Sequence, residues 1–259
     1  MFGNGTYWWA GLLVFVLFIV INLVVFLLRD KAKVSYTIAW CIACYLFVFK
    51  VAEYIQWQAV GEHYNFPLEF SALSYVVYSV AVTFRLKKVQ QFPLWAGLMA
   101  GAIYSFGFWV SPDSFVITNE SLFWHWSAFV NHHLLYFGSI LMIANVVKLR
   151  PRDWWQQVVG GAICVGYSWV IYLFTDYAAH RGKPLIVQMC DGTIMNFLGL
   201  QEIATWHYVV YAIGVALTLA LTMSGIFLLN GWQCRRRAKK GLPEDAFPEK
   251  WLSIRVDWE

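Results

Sequence analysis

Residues 8–50 read WWAGLLVFVLFIVINLVVFLLRDKAKVSYTIAWCIACYLFVFK, and the fold turns on them. Trp8 to Leu28 carries no charge and has the length, roughly 17–25 residues, with which a helix crosses a bilayer. Arg29, Lys31 and Lys33 then interrupt the apolar sequence before a second such run opens at Tyr36 and continues to Trp57. The first run has no basic n-region and exceeds a signal h-region in length, so it is expected to be a retained helix.

The same alternation continues through Pro67 to Phe84, Pro93 to Val110, Leu122 to Val147, Trp154 to Thr175 and Trp206 to Asn230. Of 259 residues, 60% are hydrophobic, 19% aromatic and only 13% charged, a balance that excludes an ordinary soluble domain. The expected fold is all-α, a polytopic membrane bundle of seven transmembrane helices within residues 1–240. Residues 241–259 are expected to form a short cytoplasmic tail lying as a surface extension.

Lysine and arginine accumulate on the cytoplasmic side of short loops. Here they follow alternate spans: Arg29, Lys31 and Lys33; Arg85, Lys87 and Lys88; Lys148, Arg150 and Arg152; then Arg235, Arg236, Arg237, Lys239 and Lys240. The intervening loops His63 to Phe66 and Ser111 to Ser121 have none, and Asp176 to Thr205 has only Arg181 and Lys183. This places the N-terminus outside and the C-terminus in the cytoplasm, with sequons at Asn4 and Asn119 on the outer side. The RRRAKK run reads first as a topology determinant. Five cysteines make no disulfide framework, and Cys41 and Cys44 read as small core packers.

Polar side chains inside a bilayer are costly and usually face a bundle interior or a site. Counted inward from the outer helix ends, Ser71 lies roughly 7 Å deep, Glu53 about 9 Å, Lys50 about 13 Å and His132 about 15 Å. His125 is shallower, and Asp176, His180, Glu202 and His207 flank the ends of the sixth and seventh spans. A cavity opening outward would join these groups, with the Asp176 to Thr205 loop long enough to fold over it as a lid. His125, Phe129, His132 and Tyr136 share one helical stripe; Ser71, Ser74, Tyr75 and Tyr78 share another; Lys50, Glu53 and Trp57 share a third. His133 points about a quarter turn away from its neighbour His132.

Each residue also has a plain structural reading. Lys50 and Glu53 at i,i+3 suit a neutralised ion pair, and Ser71 and Ser74 suit close helix packing. Glu69, just after Pro67, suits the positive end of a helix as a cap. His180 and His207 suit interfacial solvated positions, while Asn131 and His133 suit packing and hydrogen bonds between helices.

The stretches FPLEFSALSYVVYSVAVTF, FWHWSAFVNHHLLYFGSILMI and YLFTDYAAHRGKP resemble the YwaF-like integral membrane family of bacteria, which has eukaryotic relatives. The resemblance spans roughly the third to seventh helices. Where the family reads LPLHLC, this chain reads Phe66-Pro67-Leu68-Glu69-Phe70-Ser71, so Glu69 replaces a histidine and Ser71 a cysteine. The family histidine in the fifth span corresponds to His132, and its basic residue and proline to Lys183-Pro184. A eukaryotic relative is a transmembrane acyltransferase acting on ether phospholipids, so the resemblance implies acyl transfer or lipid-ester hydrolysis, with Ser71 as nucleophile and His132 as base. Serine needs a stronger base than cysteine, which is already partly thiolate near neutral pH.

On this reading Lys50, Asn131 or His125 would stabilise an oxyanion, with Glu53 and Glu69 in support. Membrane lipids are the expected partners; no cofactor and no nucleic acid is expected. Two rival readings use the same layer: a metal-dependent hydrolase with His125, His132 and His207 as ligands, and a transporter or receptor with a polar substrate site.

Overall fold

The computed structural model describes residues 8–63, 65–110, 112, 122–191 and 205–247. Every regular element among them is helical: α1 (Trp8–Leu27), α2 (Ala32–Ala59), α3 (Phe70–Thr83), α4 (Gln91–Val110), α5 (Leu122–Asn145), α6 (Trp155–Phe174), two short helices α7 (Tyr177–Arg181) and α8 (Leu185–Asp191), and α9 (Thr205–Lys239). Six of these, α1, α2, α4, α5, α6 and α9, are long and apolar enough to cross a membrane. This all-helical architecture is compatible with a multi-pass integral membrane protein. The sequons at Asn4 and Asn119, and Glu202, lie outside the described residues.

The apolar run from Pro67 to Phe84 is not helical throughout. Pro67 biases Phe66 away from helical backbone, and the chain stays non-helical to Glu69. Leu68 is buried there, and its carbonyl accepts a hydrogen bond from Ser168 Oγ at 2.9 Å on α6. The 14 residues of α3 extend about 21 Å, less than the ~30 Å hydrocarbon core. Trp40 donates to the Thr83 carbonyl (3.3 Å) and Tyr78 to the Ala39 carbonyl (3.3 Å), so the end of α3 lies beside the start of α2.

Helix α5 is the axis of the bundle, with Leu135, Leu141, Met142 and Ile143 fully buried. Gly97, Gly101 and Ser105 recur every fourth residue on α4 and let it approach α5 closely. A Cβ on Gly101 would meet the His132 carbonyl oxygen at 2.7 Å and the Tyr136 amide at 2.9 Å. Outer positions such as Ile19, Leu23, Ile163, Leu173, Leu221 and Leu228 are exposed, as a lipid-facing surface requires.

The basic loops converge at one end. Asp30 receives Arg236 (2.6 Å) and Lys240 (2.7 Å), Lys87 meets Asp245 (3.2 Å), and Lys148 meets Glu244. Arg237 is buried and donates to the carbonyls of Asn145, Val147 and Glu244. Asn230 donates to the Ile143 and Val147 carbonyls at 2.6 and 2.9 Å and accepts from the Leu149 amide at 2.9 Å. Together they satisfy carbonyls that the end of α5 leaves without helical partners. Residues 241–247 are accordingly no loose surface extension. Phe247 is buried edge-on against Tyr36, and the Ala246 amide donates to the Val146 carbonyl at 2.9 Å.

Candidate functional site

At the other end, α2, α3 and α5 surround a cavity of about 730 Å³. Its wall brings together Lys50, Glu53, Glu69, Ser71, Asn131 and His132. His125 lies in the first turn of α5, but its side chain is outside the described residues. His207 is not part of this wall; its ring packs on Trp206 at the start of α9, with centroids 3.8 Å apart. Asp176 and His180 are exposed at α7, where His180 Nδ1–H donates to the Asp176 carbonyl at 2.9 Å. Among the described residues, no three His, Cys, Asp or Glu side chains are grouped to share a metal ion. The first part of the Asp176 to Thr205 loop folds as α7 and α8; residues 192–204 are outside the described set.

Helix α2 supplies the charged part of the wall. Lys50 Nζ lies 2.5 Å from Glu53 Oε2, with the two side chains 13% and 8% exposed. Desolvation makes an isolated charge at such a depth costly, and here the two opposite charges sit side by side. The ammonium also lies 4.7 Å from the centre of the Tyr75 ring, a cation–π contact.

Helix α3 supplies Ser71 and Tyr75. Ser71 is half-buried in the first turn, while Ser74 turns inward and donates to the Phe70 carbonyl at 2.6 Å. Glu69 occupies the N-cap position with extended backbone but forms no side-chain cap hydrogen bond, contrary to the capping role its place after Pro67 suggested. It faces the cavity instead.

Helix α5 supplies His132 and Asn131. The His132 Nδ1 lies 2.7 Å from the Ala128 carbonyl oxygen. A carbonyl only accepts, so Nδ1 holds the proton and Nε2 of the neutral ring carries a lone pair. Tyr104 stacks on this ring with centroids 3.8 Å apart, and Tyr75 meets it edge-on at 5.2 Å. Asn131 Oδ1 and the Tyr75 hydroxyl are buried without a hydrogen-bond partner among the described residues. No hydrogen bond joins Ser71 to His132; the imidazole is held by Ala128 and the tyrosines. His133 faces away from the cavity, its Nδ1–H donating to the Phe129 carbonyl at 2.7 Å and its Nε2 3.4 Å from Ser105 Oγ on α4.

Tyr104, and Gln56 on the cavity wall, did not stand out in the sequence. Tyr104 belongs to an apolar span with no ionisable neighbour, and its only signal is its place three residues after Gly101, on a helix that approaches α5. Set against known proteins, the chain matches no family model, no curated protein and no solved structure.

Proposed function

We propose that this cavity acts on the acyl ester of a membrane lipid, as the resemblance to the YwaF-like family implies. The supporting observation is that one cavity wall carries the Ser71 hydroxyl, a buried lysine and a histidine whose Nε2 is available as a base. Ser71 Oγ attacks the acyl carbonyl as its proton passes to His132 Nε2. The oxyanion collapses, the ester C–O bond breaks, and the histidine returns the proton to the departing alkoxide. Water or a second lipid alcohol then attacks the acyl-serine by the reverse proton route. Lys50 and Asn131 line the same wall, and on this reading their Nζ and Nδ2 donate to the oxyanion.

In this reading α3 is the seventh crossing, completed by the non-helical segment before it. The basic end faces the cytoplasm, and the cavity opens toward the outer leaflet. The test is lipid mass spectrometry on membranes with and without the protein, combined with labelling by a serine-reactive fluorophosphonate. Labelling at Ser71 and lipid turnover should both vanish in Ser71→Ala at matched expression. Wild-type turnover in that variant overturns the mechanism.

The absence of a Ser71–His132 hydrogen bond favours a second reading, a binding site for a polar solute around Lys50, Glu53 and Asn131. Solute flux into sealed vesicles that persists in Ser71→Ala but fails in a stably folded Lys50→Met/Glu53→Leu double variant would establish it.

A further inference from the structure

At the basic end a second cleft, of about 400 Å³, opens between the α3–α4 turn, the α5–α6 loop and the start of α6. Its rim holds Lys87, Lys88, Lys148 and Arg150 against Asp153 and Asp245, a surplus of two positive charges by count, 4 − 2. Lys87 is neutralised by Asp245, Lys148 by Glu244 just outside the cleft, and Asp153 by Arg152 at 3.8 Å. Lys88 and Arg150 have no ion-pair partner among the described residues, so the surplus sits on these two.

The floor is polar and already organised. Gln91 Oε1 accepts from the Arg150 amide at 3.3 Å, and Gln156 Nε2 donates to the Lys88 carbonyl at 2.9 Å. These bonds tie the two loops together and place both cations over one floor. Gln90 and Gln156 are 6% and 8% exposed, and the Oε1 of each is buried without a hydrogen-bond partner among the described residues. A buried amide oxygen without a donor costs free energy that a ligand donor recovers. Trp154 and Trp155 stand half-exposed beside the cleft, the position of side chains at a membrane–water interface.

A ligand that suits this cleft carries an anion for Lys88 and Arg150, hydroxyl donors for Gln90 and Gln156, and a place at the bilayer surface. We propose that the cleft binds the headgroup of an anionic glycerophospholipid whose phosphodiester bears free hydroxyls, in the leaflet at the basic end. The cleft is at the opposite end of the bundle from the cavity with His132, and this assignment stands whether or not the acyl-ester chemistry holds. A simple basic patch would take any anion at the surface; the unpartnered acceptors in the floor add a preference for a headgroup that donates.

The full-length protein in phosphatidylcholine nanodiscs, titrated with phosphatidylglycerol and read by native mass spectrometry, tests this. One phosphatidylglycerol should be retained in preference to phosphatidylmethanol, which has the same phosphodiester charge but no hydroxyl. The double variant Lys88→Gln/Arg150→Gln should bind phosphatidylglycerol roughly tenfold more weakly or worse, with unchanged thermal stability. Lys31→Gln/Lys33→Gln, which removes two charges at the same end but outside the cleft, should bind as the wild type does. Equal loss in both double variants, or no preference over phosphatidylmethanol, overturns the proposal. Saturable binding of glycerol 3-phosphate to the delipidated protein, dependent on Lys88 and Arg150, would reassign the cleft to a soluble phosphate ester and overturn the lipid assignment.

Discussion

The imidazole of His132 lies face to face with the phenol ring of Tyr104, centroids 3.8 Å apart and planes within 9°. With Nδ1–H tied to the Ala128 carbonyl, the stack fixes the ring plane and hence the direction of Nε2. Aromatic pairs contribute about 0.5–1.5 kcal/mol beyond burial, which corresponds to roughly a two- to tenfold rate effect if it is used to orient a base. Tyr104→Leu should therefore lower lipid turnover by that factor while Tyr104→Phe keeps it. Turnover at matched expression is the measurement, and equal loss in both variants would assign the effect to the hydroxyl.

Gly101 controls the same stack through the backbone. A methyl group there meets the His132 carbonyl and the Tyr136 amide, which belong to a rigid helix and cannot give way as a side-chain tip would. Gly101→Ala should separate α4 from α5 and cost about 1–3 kcal/mol in stability. Thermal unfolding in detergent reads this, with a further drop in turnover because Tyr104 moves with α4.

Removing one partner of a buried ion pair strands the other, at a cost of about 3–5 kcal/mol. Lys50→Met and Glu53→Leu should each lower the unfolding temperature, and the double variant should recover most of the loss. If Lys50 meets an oxyanion, the recovered double variant stays inactive. A double variant that turns over lipid at the wild-type rate would make the pair purely structural.

The helical membrane class was legible because a lipid-facing helix has to be apolar all round. Trp8–Leu27 and Gln91–Val110 match their apolar runs closely for that reason. The run starting at Pro67 misled at its edge: Leu68 is apolar because it is buried in the bundle, where hydrophobicity says nothing about backbone conformation. Lys50, Glu53, Ser71 and His132 were legible as a layer because polar groups at that depth carry a cost, and the structure places them on one cavity wall. Tyr104 was not, since an aromatic residue looks the same whether it faces lipid or the imidazole of His132. Arg237 hid within RRRAKK, where composition does not separate the one buried side chain from its solvated neighbours.

The Asp30 clasp sets a pH dependence. The bond from the Lys240 ammonium, with Arg236 adding a second, holds the Asp30 carboxyl below the ordinary carboxylate range. A depressed pKa stabilises the fold above the unfolded-chain value of about 3.9, and that contribution is lost as pH falls through the folded-state value. Asp30→Asn should therefore lower the unfolding temperature slightly at pH 7, with the difference shrinking below about pH 4. The carboxylate is more than a third exposed, so added salt should also narrow the gap. Melting curves of both proteins across pH and ionic strength decide it.

Arg237 reaches carbonyls at the end of α5 from a position 92 residues later in the chain. A ribosome therefore finishes and releases α5 long before the guanidinium that completes it has been made. The hydrophobic segments enter the bilayer one after another, but the bundle is sealed only when the last turn of α9 emerges and residues 241–247 fold back over Tyr36. Closure of this end of the bundle thus waits on Arg237, and a nascent chain stopped before it lacks the donor for the Asn145 and Val147 carbonyls.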